Sequence, residues 1–170
     1  AGMLPKTVTE AWVKRFAEGL AEDQKQFNIH LAGGDTTSTR AGMGFSLTAI
    51  GLVPEGAALL RSGARAGDDL YVSGTIGDGA LGLVSLRGGK ADEAFLIDRY
   101  LLPQPRVALG QKLRGIATAC MDISDGLVPD LGHLCAASGV GAVMPRTQVP
   151  LSAPAASLLA HESALWATVL

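Results

Sequence analysis

The residues best suited to chemistry lie in two short stretches, Asp122-Ile123-Ser124-Asp125-Gly126-Leu127 and Gly33-Gly34-Asp35-Thr36-Thr37-Ser38-Thr39. The first puts two carboxylates and a hydroxyl at a junction. Before it, the apolar run from Gly115 to Cys120 reads as a buried strand; after it, Leu127, Val128, Leu131, Leu134 and Cys135 recur at the spacing of a helix over 127–137. At such a junction Ser124 or Asp125 can cap the helix. Its free backbone N–H groups, with the positive end of the helix dipole, make an anion site. Asp122 is then left at the strand end to hold a divalent cation. A cation beside an anion site suits a metal–nucleotide complex. The same residues also suit an ordinary helix cap, and from the residues alone both readings stand.

The second stretch follows Asn28-Ile29-His30-Leu31-Ala32, which reads as a short strand with His30 as a structural residue. Gly33 and Gly34 allow a sharp turn or a close backbone approach to a ligand. The acid suits a cation and the hydroxyls suit phosphate, although Gly-Gly-Asp-Thr is also a good turn.

The elements that would position these stretches follow from patterning. Thr7-Val8-Thr9-Glu10 fits a capping box for an amphipathic helix over about 8–26, with Trp12, Phe16 and Leu20 on the packed face. Met43 to Val53 reads as a strand. Arg61 to Asp69 reads as a surface connection and the domain boundary, near residue 60, with Arg61 taken by itself as a solvated charge. Leu70 to Ser73 reads as a strand. The turn from Gly74 to Gly79 then leads to a helix over 80–86, which is the geometry of either an anion nest or a plain tight turn. Further helices are expected over 91–101, with Phe95, Ile97 and Leu101 in the core, and over 107–113. After Ser138-Gly139 a strand over 140–149 and a helix beginning at Ala155 complete the pattern.

Composition sets limits. A formal charge of −2 gives no basic field for nucleic acid. No apolar run reaches the length of a membrane span. Cys120 and Cys135 are too few for a disulfide framework and read as buried thiols of a cytoplasmic protein. Hydrophobic residues make up 48% and charged residues 18% of the 170, so apolar surface exceeds what such a chain readily buries. A large partner interface, or membership of a longer chain, is therefore expected. The apolar ends, Ala1 to Pro5 and Ala164 to Leu170, favour the second.

Taken together, the motifs resemble those of the bacterial thiamine-monophosphate kinases, in the superfamily of aminoimidazole ribonucleotide synthetase and selenophosphate synthetase. The matching residues are Gly33-Gly34-Asp35-Thr36-Thr37, Leu60-Arg61-Ser62-Gly63-Ala64 with Gly67-Asp68, and Ser73-Gly74-Thr75-Ile76-Gly77-Asp78. They continue with Pro103-Gln104-Pro105-Arg106 and Asp122-Ile123-Ser124-Asp125-Gly126-Leu127, in the same order over nearly the whole chain. The resemblance implies an α/β fold with mixed sheets in a two-domain, aminoimidazole ribonucleotide synthetase-like architecture. Residues 1–60 would close a sheet-forming N-terminal domain and 61–170 begin a C-terminal one. It implies transfer of the γ-phosphoryl group of ATP to thiamine monophosphate with Mg²⁺, in a homodimer formed through the N-terminal domains. Carried over by position, Asp35, Asp122 and Asp125 resemble magnesium ligands; Gly34, Asp35, Arg61 and Ser124 resemble nucleotide contacts.

Asp78 and Arg106 lie in motifs without an implied role, and Leu102 stands where relatives often have arginine. The family's acidic motifs Gly-Asp-Asp, Ser-Thr-Asp and Asn-x-Ser-Asp, and its Gly-Gly-Glu-Asp-Tyr motif, have no counterpart in the sequence. On that ground the chain resembles the middle of the enzyme and is expected to be inactive alone. Another ATP-using member of the superfamily and a non-catalytic assembly module are the alternatives.

Overall fold

The computed structural model describes residues 1–88 and 93–170. The chain divides into two compact units, Ala1–Val53 and Pro54–Leu170.

The first unit is a βαβ arrangement with one added strand. Strand β1 (Gly2–Pro5) pairs in parallel with β2 (Thr36–Thr39), Gly2 opposite Thr36 and Pro5 opposite Thr39. Parallel neighbours need a long crossover, and helix α1 (Glu10–Phe27) supplies it. Strand β3 (Gly44–Phe45) pairs antiparallel on the other side of β1, giving the order β2-β1-β3.

The α1 cap is Thr9, whose hydroxyl accepts from the Trp12 N–H at 3.2 Å, so the Thr7–Glu10 capping box expected from sequence does not form. The expected packed face is real but thinly covered. Trp12, Phe16 and Phe45 stack with centroid separations of 4.7 to 6.2 Å, while no residue of α1 is fully buried.

Two expected strands differ in the structure. Residues 28–32 form no ladder: Asn28 ends α1 in the left-handed region, and Gln24 Oε1 accepts from the Leu31 N–H at 2.7 Å. Within 43–53 only Gly44 and Phe45 pair, and Ile50 is 92% exposed. Apolar, β-favouring residues specify a face, but a strand exists only where a neighbouring backbone completes its hydrogen bonds.

The second unit is helical among its described residues: α2 (Asp78–Arg87), α3 (Ala94–Leu101), α4 (Val107–Lys112), α5 (Leu127–Ser138), α6 (Ala153–His161) and α7 (Trp166–Val169). The strands expected over 70–73, 115–120 and 140–149 do not form ladders. Ile116 and Val143 lie in the open, and residues 146–148 make a 3-10 turn. The expected buried strand before the acidic loop is thus an irregular segment, held where the Cys120 N–H donates to the Leu60 carbonyl at 2.8 Å. Residues 91 and 92 of the expected third helix lie outside the described residues. Its core residue is Leu96, fully buried, whereas Phe95 and Leu101 are exposed. The face turned inward is chosen by α2: at Gly82 the two backbones approach so closely that a Cβ would sit 2.5 Å from the Leu96 carbonyl carbon.

Ile76, Leu81, Leu96, Leu127, Val149, Ala155, Leu159 and Val169 form the core of this unit. Gly77, at φ 85°, starts α2 beneath Val169, whose Cγ1 would lie 2.6 Å from a Cβ placed there; both the backbone and the space require glycine. Asp78 is buried, and its carboxylate accepts from the hydroxyls of Thr75 and Ser152, the latter at 2.5 Å. Ser152 Oγ in turn caps α6 by accepting from the Ala155 N–H at 3.2 Å. The turn over 74–78 is therefore a tight structural joint. Asp78→Ala leaves the buried Ser152 hydroxyl and the half-buried Thr75 hydroxyl without their acceptor, and a loss of about 1–3 kcal/mol is expected in denaturant unfolding.

Candidate functional site

The acidic loop sits at the N-terminus of α5. The residue preceding the helix is Gly126, at φ 134°, and neither Ser124 nor Asp125 caps it through its side chain. The capping carboxylate is Asp130, one turn inside the helix. Its Oδ2 accepts from the backbone N–H groups of Ser124 (2.8 Å), Asp125 (3.0 Å) and Gly126 (3.3 Å). The Val128 N–H donates to the Leu170 carbonyl at 2.8 Å. The loop N–H groups of Ser124, Asp125 and Gly126, and the Val128 N–H of the first turn, are thus engaged by the protein itself. Asp130 is the residue organising this loop that sequence reading missed. Its signal was an acid in the first turn, four residues after Gly126, where the helix dipole favours negative charge.

Asp122, Ser124 and Asp125 are exposed on this loop. Among the described residues no side-chain hydrogen bond or ion pair engages either aspartate. Two oxygen-donor carboxylates three residues apart, free of protein partners, suit a hard divalent cation. Among the described residues no group of three or more His, Cys, Asp or Glu gathers into a metal cage.

Arg61 belongs to a turn held at the other end of α5. The Ser138 hydroxyl donates to the Arg61 carbonyl and accepts from the Ala64 N–H, both at 3.2 Å. At Gly63 (φ 118°) a Cβ would meet the Thr118 carbonyl oxygen at 2.6 Å. Asp68 closes the turn, accepting from the Thr118 hydroxyl at 2.7 Å and the Arg65 N–H at 2.9 Å. The Arg61 side chain is exposed. Arg106 lies against Gly74, where a Cβ would come within 2.5 Å of its Nη2.

In the first unit, Gly34 and Asp35 are exposed immediately before β2. The hydroxyl residues that follow belong to the strand itself; Asp35 accepts from the Gly2 N–H at 2.8 Å through its backbone carbonyl, leaving its carboxylate unengaged among the described residues.

Two carboxylates are held below the ordinary range. For Asp130 the Ser124 N–H is the main cause, opposed by burial and reinforced by the N–H groups of Asp125 and Gly126 and by His133. For Asp68 the Thr118 hydroxyl leads, followed by the Arg65 N–H. A carboxylate depressed in the folded state contributes stability above its unfolded value and loses it as pH falls through the folded value. The melting temperature should therefore be flat from about pH 7 to 5 and decline below about pH 4, less steeply in Asp130→Asn. Thermal melts across that range check it.

No helix among the described residues is long and apolar enough to cross a membrane. Two family models match the chain: AIR synthase related protein, N-terminal domain, over residues 2–53, and AIR synthase related protein, C-terminal domain, over residues 65–167. The thiamine-monophosphate kinase of Escherichia coli is 42% identical over 94% of this chain and 50% of its own length. That of Caulobacter vibrioides is 46% identical over 81% of this chain and 39% of its own. The crystal structure of thiamine-monophosphate kinase from Stenotrophomonas maltophilia superimposes with a TM-score of 0.83 at 35% identity, covering 99% of this chain and 56% of that one. A structure described as AaThiL complexed with AMPPCP and TMP gives 0.79 at 30% identity, covering 94% and 52%. The chain spans about half the length of the curated relatives it matches. With mixed sheet and helices, and with both family models matched in order along it, the chain belongs to the AIR synthase related protein family.

Proposed function

We propose that the protein to which this sequence belongs is an ATP- and Mg²⁺-dependent thiamine-monophosphate kinase, transferring the γ-phosphoryl group of ATP to thiamine monophosphate to give thiamine diphosphate. The observation that carries the reading is an exposed, unengaged pair of carboxylates, Asp122 and Asp125, in a chain 42% identical to named thiamine-monophosphate kinases. The neighbour described as complexed with AMPPCP and TMP supports a nucleoside triphosphate donor and that acceptor.

Donor and acceptor are both polyanions, so the chemistry asks for charge neutralisation and alignment rather than a strong base. Mg²⁺, when bound, neutralises charge on the phosphates. It uses one or two protein carboxylates together with substrate phosphates, and a cage of three acids is not required. Asp122 and Asp125 would hold it. Asp35 is assigned as a ligand on the same chemical ground, an exposed carboxylate without a side-chain partner among the described residues. Ser124 offers a hydroxyl and Gly34 an unobstructed backbone to the nucleotide. The Arg61 guanidinium, on a turn fixed by Ser138, offers a planar fork to phosphate.

We read the protein as a cytoplasmic homodimer formed through its N-terminal domain. The exposed Leu47, Ile50 and Leu52 of the first unit and the two free thiols support that reading. Testing acceptors side by side with Mg·ATP checks the substrate: thiamine monophosphate is expected to turn over far faster than any other phosphate monoester, and equal or better turnover of another acceptor would reassign the protein within its superfamily.

A further inference from the structure

Three consecutive backbone N–H groups at the mouth of a helix usually form a cradle for phosphate. In this chain all three converge on one oxygen of Asp130, a carboxylate only 3% exposed. Asp130 cannot move aside cheaply. It is buried on α5 beside Leu127, one turn from the end where Val128 is tied to Leu170. The charge of the segment points the same way. Asp122, Asp125 and Asp130 fall within nine residues, and no Lys or Arg occurs between Arg114 and Arg146. A triphosphate meets net negative charge here unless a cation stands between.

We propose that Asp130 is the positioning residue of the acidic loop: it fills the nest formed by Ser124, Asp125 and Gly126, fixes the backbone from which Asp122 and Asp125 project, and so makes the loop a cation holder rather than a phosphate cradle. The proposal rests on the kinase reading above and adds a residue that acts through others. It explains how the loop can serve a polyanion without offering it the N–H groups of Ser124, Asp125 and Gly126.

The test uses the protein expressed from its complete coding sequence, with Asp130→Ala and Asp130→Asn. Amide hydrogen exchange at Ser124, Asp125 and Gly126 reads the nest without reference to activity. The Mg²⁺ concentration giving half-maximal turnover at saturating ATP reads the loop. Asp130→Ala is expected to lose protection at all three amides and to raise the Mg²⁺ requirement about 10-fold or more. Asp130→Asn, which keeps an oxygen acceptor, is expected to restore most of both. If Asp130→Ala does not fold, Asp130→Glu replaces it; the carboxylate is then displaced by one methylene, and the same rise in Mg²⁺ requirement is expected. A folded Asp130→Ala or Asp130→Glu protein with wild-type Mg²⁺ requirement overturns the proposal. Protected amides in Asp130→Ala do so as well. If the wild-type protein makes no thiamine diphosphate, the kinase reading fails instead, and the exchange data still decide whether Asp130 holds the nest.

Discussion

Asp122→Asn, in the protein expressed from its complete coding sequence, is expected to lower kcat for thiamine diphosphate formation by about 100-fold or more while leaving the melting temperature unchanged. The two halves of that expectation have separate causes. Asn is nearly the same shape as Asp, and Asp122 is exposed without a side-chain partner among the described residues, so nothing in the fold depends on its charge. The negative charge is what a hard cation requires, and an amide oxygen is a much poorer ligand than a carboxylate. Outer partners of metal ligands already cost 10–100-fold when removed, so a direct ligand should cost at least as much. Asp125→Asn and Asp35→Asn should behave alike. Steady-state kinetics beside thermal melts separate the two halves: near-normal turnover in Asp122→Asn would remove the metal assignment.

The second large effect is on stability. Gly82→Ala is expected to destabilise the chain by about 3 kcal/mol, a drop in melting temperature of about 10 °C. Helix propensity alone predicts the opposite sign, since alanine within a helix gains up to about 1 kcal/mol over glycine. Geometry decides the outcome. A Cβ at position 82 would fall inside the Leu96 carbonyl group and within 3.1 Å of the Ile97 nitrogen. These are backbone atoms, which cannot rotate away, so α2 and α3 would have to separate around the fully buried Leu81, Ser85 and Leu96. Gly132→Ala in α5 is the control. Nothing lies within 4 Å of its Cβ, and a gain of up to about 1 kcal/mol is expected. Denaturant unfolding of the two variants should move in opposite directions; a common rise would mean that the α2–α3 approach is looser than the structure shows.

The helices were legible in the sequence because their signal is local. Apolar spacing and stop signals placed α1 within two residues at its start and one at its end, and α5 within one residue, with Gly139 as its left-handed stop. Of the strands only β3, inside the expected 43–53, was legible, because pairing is a property of two segments and periodicity reports only one. Residues 28–32, 70–73, 115–120 and 140–149 have strand composition but, among the described residues, no neighbouring backbone that completes a ladder. The true β2 lies in Thr36–Thr39, whose hydroxyls suit phosphate while the β-branched Thr36, Thr37 and Thr39 favour an extended chain.

The site shows the same division. Asp122, Ser124 and Asp125 could be read together because they are contiguous. The part played by Asp130 could not, since an acid in a first helical turn is ordinary until its hydrogen bonds are seen. Arg61 read as a bystander by itself, and only the motif order suggested more. The Ser138 bridge that fixes its turn spans 77 residues of sequence and leaves no local trace.

On the proposed function, this chain belongs to an enzyme that moves the γ-phosphoryl group of ATP onto a phosphate already carried by thiamine. The most direct measurement supplies γ-labelled ATP, Mg²⁺ and thiamine monophosphate to the protein expressed from its complete coding sequence and identifies the labelled product. Label is expected in the terminal phosphate of thiamine diphosphate, dependent on Mg²⁺ and absent in Asp122→Asn. Label released only as inorganic phosphate, or carried to thiamine diphosphate without any divalent cation, would contradict it.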